Sequence, residues 1–341
     1  MTLIRIFRTF LLMFSFLLLN SCTTRSVNAK YNGISLVASR DSLHSQHVEP
    51  IIQVNANAVA LMPYAFMGDK DNPELIFNNN RQWFGEREEG IEHAIAILKK
   101  KKLKLMMKPH IWLRNGEFTG DLSFNSEKEW KKFEDSYRNY ILFYTEIAEK
   151  HHFELVCIGT ELFNFVDQRP EFWKNLIKEI RKKYHGKLVY AENWDKADQT
   201  EIWQHLDYIG VDAYFPLSEE EAPSEAEIID GWEKHRLMLE KLSSENDLPV
   251  LFTEYGYRSV DHALKEPWNS SRDSIKLNHT VQAKALKVIY EEIWPEDWFA
   301  GGFLWKWHQD PDSGGLDNNR FTPQNKPAQK VVQEYYRKFT N

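Results

Sequence analysis

Apolar and polar positions alternate along the chain in two rhythms. Short, near-continuous apolar runs recur at 33–37, 58–66, 103–112, 154–160, 188–193, 208–214, 250–253 and 302–307. Runs of this kind read as strands buried on both faces. Between them lie longer stretches whose apolar residues return every three or four positions, the stripe of an amphipathic helix. The stretch 87–98 places Ile91, Ala94, Ile95 and Leu98 on one face, and 130–150 does the same with Phe133, Tyr137, Tyr140, Ile141 and Tyr144. Similar stretches at 171–184, 225–242, 281–294 and 326–339 are predicted helices, and the helices expected near 48–54 and 199–206 are short. Eight strands, each followed by a helical stretch, predict a closed (β/α)8 barrel. The open-sheet alternative is disfavoured because no glycine-rich phosphate loop follows the first strand. There is no internal repeat or linker, so 31–341 reads as a single domain.

The first residues follow neither rhythm. Arg5 and Arg8 precede an apolar run over 10–19, and Leu19-Asn-Ser-Cys22 resembles a bacterial lipobox. The run is short for a spanning helix, so 1–21 is expected to be a lipoprotein signal peptide. Cys22 would carry the lipid and 22–30 would form a polar tether. A plain signal peptide or an uncleaved anchor is the alternative. On this reading the protein sits in the bacterial cell envelope, meets the membrane only through its lipid, and is a monomer. Its face of the membrane is left open. Cys157 is then the remaining cysteine, which excludes an intramolecular disulfide.

Composition changes the picture in two ways. A net charge of −7 argues against a nucleic-acid partner. The 12 Trp, 14 Tyr and 21 Phe matter more: aromatic faces stack on sugar rings, although many of these side chains must be core.

The chemistry sits at strand ends. Glu161 closes the run Glu154-Leu-Val-Cys-Ile-Gly-Thr, and Glu254 closes Pro249-Val-Leu-Phe-Thr. A parallel barrel keeps its chemistry at the C-terminal ends of its strands, and two carboxyl groups facing one cleft are the equipment of a glycosidase. Asn193 and Trp194 end the fifth strand, and His110 and Trp112 end the third on one face; all four are candidate sugar contacts. Trp268 lies in the loop after the seventh strand, where an aromatic suits a cleft. His151-His152 lacks zinc spacing, and His308, Asp310 and Asp312 read as a solvated loop, so no metal or cofactor is expected. There is no Gly-x-Ser-x-Gly elbow for serine chemistry.

Several segments resemble a clan A glycoside hydrolase, and within the clan glycoside hydrolase family 113, the β-mannanase family. They are Ile158-Gly-Thr-Glu-Leu162, Phe252-Thr-Glu-Tyr-Gly-Tyr-Arg-Ser259 with Pro267-Trp268, Gly302-Phe-Leu-Trp-Lys-Trp307 and Phe321-Thr-Pro-Gln-Asn-Lys-Pro-Ala328. The resemblance implies a TIM barrel that hydrolyses β-1,4-mannan or manno-oligosaccharides with retention, Glu161 acting as acid/base and Glu254 as nucleophile. It implies that Tyr214 donates to the nucleophile and that Trp305 floors the attacked sugar. Trp307 competes for the second role, because strand alternation points it to the same face. Thr160 stands where many clan members carry an asparagine that binds the sugar 2-hydroxyl, so another group must hold that hydroxyl. Other β-glycans, an exo-acting β-mannosidase, and a non-catalytic carbohydrate-binding lipoprotein are the alternatives.

Overall fold

The computed structural model describes residues 30–69, 72–114, 116–271 and 276–340. The expected signal peptide and Cys22 lie outside the described residues. In chain order the elements are β1 (Tyr31–Leu36), α1 (Ser45–Gln53), β2 (Ala58–Leu61), β3 (Tyr64–Asp69), β4 (Asn72–Ile76), α2 (Glu88–Lys100), β5 (Lys104–Met107) and β6 (His110–Leu113). There follow α3 (Glu127–Lys150), β7 (Leu155–Thr160), α4 (Phe163–Gln168), α5 (Pro170–Arg181), β8 (Lys187–Asn193) and β9 (Tyr208–Asp212). The chain finishes with α6 (Glu225–Asn246), β10 (Val250–Tyr255), α7 (His279–Glu292), β11 (Phe299–Trp307) and α8 (Pro327–Lys338). Eight strands close a barrel in the order β1-β11-β10-β9-β8-β7-β5-β2, every pair parallel. This is the (β/α)8 TIM barrel that the alternation predicts.

Two expected strands are broken. The apolar run 58–66 splits at Pro63 into β2 and β3, and 103–112 splits at Pro109 into β5 and β6. Proline has no N–H to give a ladder, so the chain leaves the barrel at both points. β3 and β6 then pair parallel to each other, with Tyr64 opposite His110 and Phe66 opposite Trp112, and β4 adds antiparallel to β3. Tyr140 of α3 fastens the double break: its one hydroxyl proton is shared between Pro63 O at 2.9 Å and His110 O at 2.8 Å. The expected helix at 199–206 is also corrected, being two 3-10 turns, Ala197–Gln199 and Trp203–His205.

Inside the barrel, Ala58, Ala60, Met106, Leu155, Cys157, Val189, Ala191, Leu251 and Phe303 form one buried cluster, and residues facing the helices form the larger one. Phe303 fills the barrel's centre so fully that a Cβ on Gly33 would stand 2.4 Å from its ring. Several helices begin where their sequences dictate. Ser126 caps α3 by accepting from Glu129 N, Ser224 and Glu227 form a capping box on α6, and α5 and α8 open on proline.

Candidate active site

The site lies at the C-terminal mouth of the barrel. Glu254 is the fifth residue of β10 and is nearly buried. Lys108 follows β5 and is fully buried, with its Nζ contacting Glu254 Oε1 and lying 3.2 Å from Asp212 Oδ1. Asp212 ends β9, where Thr253 Oγ1 also donates to it at 2.7 Å. Tyr214 O–H donates to the other oxygen of Glu254, Oε2, at 2.8 Å. His110 Nε2 stands 3.7 Å from Glu254 Oε1, is buried, and has no hydrogen-bond partner among the described residues.

Glu161 arrives by a different device. Its backbone has φ +50°, in the left-handed region that an L-residue enters at a cost of about 1–3 kcal/mol. Its N–H donates to Ala191 O at 2.8 Å. Neighbours brace this turn on both sides: Tyr137 O–H donates to Ile158 O at 2.7 Å, and Leu162 N–H donates to Tyr190 Oη at 2.7 Å. The turn follows the end of β7, and the carboxyl group is close enough to Asp212, Glu254 and Lys108 to feel their charges. No described residue is hydrogen-bonded to it.

Three carboxyl groups therefore share one low-dielectric site with the Lys108 ammonium, and they cannot all ionise cheaply. Burial, then the charges of Asp212 and Glu254, hold the Glu161 proton well above the usual carboxylate range. Burial and the Glu254 charge push Asp212 up to about 7, against the pull of Lys108 and Thr253. Burial opposes the charge on Lys108, but the Asp212 and Glu254 carboxylates outweigh it and keep the ammonium protonated. Burial, then Lys108 and Lys306, keep His110 neutral. Burial and the Glu254 charge keep the Tyr214 hydroxyl protonated, hence a donor.

The aromatic residues divide. Trp305 lines the cleft and stacks on His110 with ring centroids 6.1 Å apart. Trp307 does not share its face. The register between β1 and β11 shifts between Ile34 and Leu36, and Trp307 turns into the core, 1% exposed. Strand parity does not carry from Trp305 to Trp307 because the ladder is irregular there. Trp112 is 53% exposed and lines a cleft of about 630 Å³ with Trp83, Tyr64, Ile76 and Trp305. Trp194 and Trp268 stack on each other, centroids 5.5 Å apart and planes within 22°. They belong to the opposite rim, since β8 faces β1 across the barrel. Asn193 ends β8, its Oδ1 accepting from Trp194 N at 2.9 Å. The Thr160 hydroxyl lies 4.0 Å from the Cys157 sulfur.

Lys108, Asp212 and Tyr64 escaped the sequence reading. Lys108 and Asp212 are charged residues inside the apolar runs 103–112 and 208–214, and each proves to stand where the barrel strand ends. Tyr64 sits beyond Pro63, on the added sheet rather than the barrel, and its ring packs on His110 at 5.1 Å. Among the described residues no cluster of metal-ligating side chains is present.

No curated protein matches the chain by sequence. Among solved structures, a GH113 β-mannanase from Alicyclobacillus acidocaldarius in complex with ManMIm superposes with a TM-score of 0.78 at 20% identity, over 92% of this chain and 98% of that one. A GH113 β-1,4-mannanase complex gives 0.76 at 23%, covering 91% and 99%. A β-glucuronidase from Ruminococcus gnavus gives 0.60 at 14%, covering 90% of this chain and 50% of that one. At these identities the likeness is one of fold. The model of Glycoside Hydrolase Family 113 matches residues 38–326, and the chain belongs to that family of glycoside hydrolases.

Proposed function

We propose that the protein hydrolyses β-1,4-linked mannan or manno-oligosaccharides by double displacement, with retention at the anomeric carbon. The observation that carries the reading is the unequal provision for the two glutamates. Glu254 is held by an ammonium and a tyrosine hydroxyl, donors that favour a carboxylate. Glu161 has no such donors among the described residues and keeps its proton.

In the first step an oxygen of Glu254 attacks the anomeric carbon. The glycosidic C–O bond breaks, and the departing oxygen takes the Glu161 proton. Negative charge then leaves Glu254, so the repulsion that held the proton on Glu161 falls and its carboxylate becomes the base for water. Water adds to the anomeric carbon, and Glu254 departs with its electron pair. Retention requires the two carboxyl groups to stand roughly 5–5.5 Å apart. His110 Nε2, a buried nitrogen with no hydrogen-bond partner among the described residues, and Asn193 are the groups we assign to sugar hydroxyls. This assignment covers the 2-hydroxyl that Thr160 is too short to hold.

Aromatic surfaces on both rims, Trp83 and Trp112 on one and Trp194 with Trp268 on the other, suit a chain bound across the mouth and cleaved internally. The two relatives that superpose at TM-scores of 0.78 and 0.76 are β-mannanases, which favours mannose over glucose. We also place the protein in the cell envelope through lipidated Cys22; radiolabelled palmitate incorporation that survives Cys22→Ala would exclude this. For the reaction, proton NMR of the first product released from mannohexaose should show the β-anomer. An initial α-anomer would overturn the mechanism, and turnover confined to other β-glycans would overturn the substrate.

A further inference from the structure

The cleft beside Trp305 carries charges that a neutral polysaccharide gives no use for. Lys306 lines it, partly buried, with Nζ 5.1 Å over the Trp305 ring. Arg81 lines it as well, more exposed. Each side chain is a strong donor, yet among the described residues neither has a hydrogen-bond or ion-pair partner. Other cations with part of their surface buried, Lys108, Arg138, Arg169 and Lys287 among them, meet carboxylates. Glu86 is the one carboxylate among the lining residues, and it is already engaged: its Oε2 accepts from Trp83 N at 3.3 Å, and burial raises its pKa. A chain with a net charge of −7 thus has two cations without a direct ion pair among the described residues in this cleft. Burial of the Lys306 ammonium costs solvation that no direct hydrogen bond from a described residue returns, and a ligand anion would return it.

Position decides what that ligand is. Lys306 directly follows the tryptophan assigned to the attacked sugar; the Glu254 carboxylate favours its charge, and that charge in turn disfavours a proton on His110. A sugar lying on Trp305 therefore presents its substituents to Lys306. The walls, Ile76, Trp83 and Trp112, are apolar and aromatic, suited to ring faces, so the anion belongs on a sugar rather than on a free ion.

We propose that this cleft accepts a β-linked oligosaccharide carrying an anionic group, with Lys306 as its main cation and Arg81 as a second at the rim. The inference rests on the reading that Trp305 floors the attacked sugar. The shared chemistry is a negatively charged oxygen cluster on the sugar, either a uronic carboxylate or a sulfate ester.

The test measures calorimetric affinity and kcat/KM of the full chain for three oligosaccharides of equal length: neutral mannose-only, uronic-acid-bearing and sulfated. Affinity in the Glu161→Gln background keeps the readout independent of turnover. The wild type should prefer one acidic ligand by at least about tenfold, the scale of a charge-assisted hydrogen bond. That preference should weaken with added salt. Lys306→Met should abolish it, Lys306→Arg should keep most of it, and Arg81→Gln should reduce it several-fold. The preferred arm identifies the source of the anion. Equal or weaker binding of both acidic ligands, or a preference unchanged in Lys306→Met, would overturn the proposal. Cleavage of neutral mannan with refusal of acidic chains would defeat this inference alone. Cleavage of acidic chains without any mannan turnover would defeat the mannan assignment alone.

Discussion

The two glutamates at the barrel mouth are the same residue type at the same kind of position, but the fold treats them in opposite ways. Glu254 sits in a regular strand and receives donors on both oxygens, Lys108 on Oε1 and Tyr214 on Oε2. Glu161 sits one residue past its strand in a left-handed conformation, and its carboxyl group receives none from the described residues. One environment is built to stabilise charge, and the other to postpone it. A nucleophile and an acid require that difference, and neither could do the other's task where it stands.

The comparison breaks most severely when a glutamate is removed. Glu254→Ala should lower kcat by about 10⁴-fold or more on every substrate, the scale seen when a nucleophile is deleted. Glu161→Ala should lower it by about 10²–10⁴-fold on mannan but far less on an aryl mannoside whose leaving group needs no proton. Equal losses on both substrates would erase the distinction between the two roles.

Lys108→Met attacks the charged side of the comparison. It leaves Asp212 and Glu254 buried together without a cation, and loss of one partner of a buried pair costs about 3–5 kcal/mol. Thermal unfolding should register that loss, and kcat/KM should fall with it. Tyr214→Phe is milder. A hydrogen bond to a charged group is worth about 1.5–3 kcal/mol, so kcat/KM should drop by one to two orders of magnitude with the fold intact.

Asp212→Asn sharpens the uncharged side. The Asp212 charge helps to hold the proton on Glu161, so its removal should move the alkaline limb of the kcat/KM profile to lower pH. An unmoved limb would detach Glu161 from that limb.

The effect smallest on catalysis concerns Glu192, buried behind Asn193, and it is read in stability. Burial pushes it up to about 7, although Asn193 N–H and the Thr200 hydroxyl donate to it at 2.9 and 3.0 Å. Because its folded pKa is raised, the neutral form is the one the fold favours. Stability is therefore greatest below the ordinary glutamate range and declines as pH rises through about 7. The full decline is roughly 3 kcal/mol, at 1.36 kcal/mol per pKa unit. Glu192→Gln should flatten the dependence of Tm on pH between about 4.5 and 7.

Legibility in the sequence followed the same divide. Glu161 and Glu254 could be found because each closes an apolar run, and run length set the barrel. The added sheet could not be found that way. Pro63 and Pro109 interrupt runs that stay apolar on both sides, so hydrophobicity continues where the strand does not. Lys108 was passed over because it lies within such a run, and its meaning comes from Asp212 and Glu254, residues 104 and 146 positions away. Trp307 was misdirected by a parity that holds only while a ladder stays in register. Local pattern specifies which residues are buried, whereas pairing across the barrel specifies what they do.

The central claim, that Glu254 forms the bond to the sugar, has one direct measurement. The protein should be inactivated with a 2-deoxy-2-fluoromannosyl fluoride, digested, and its labelled peptide sequenced by mass spectrometry. The account predicts a single sugar adduct on Glu254, lost in Glu254→Gln. An adduct on Glu161 or Asp212, or turnover without any covalent adduct, would contradict it.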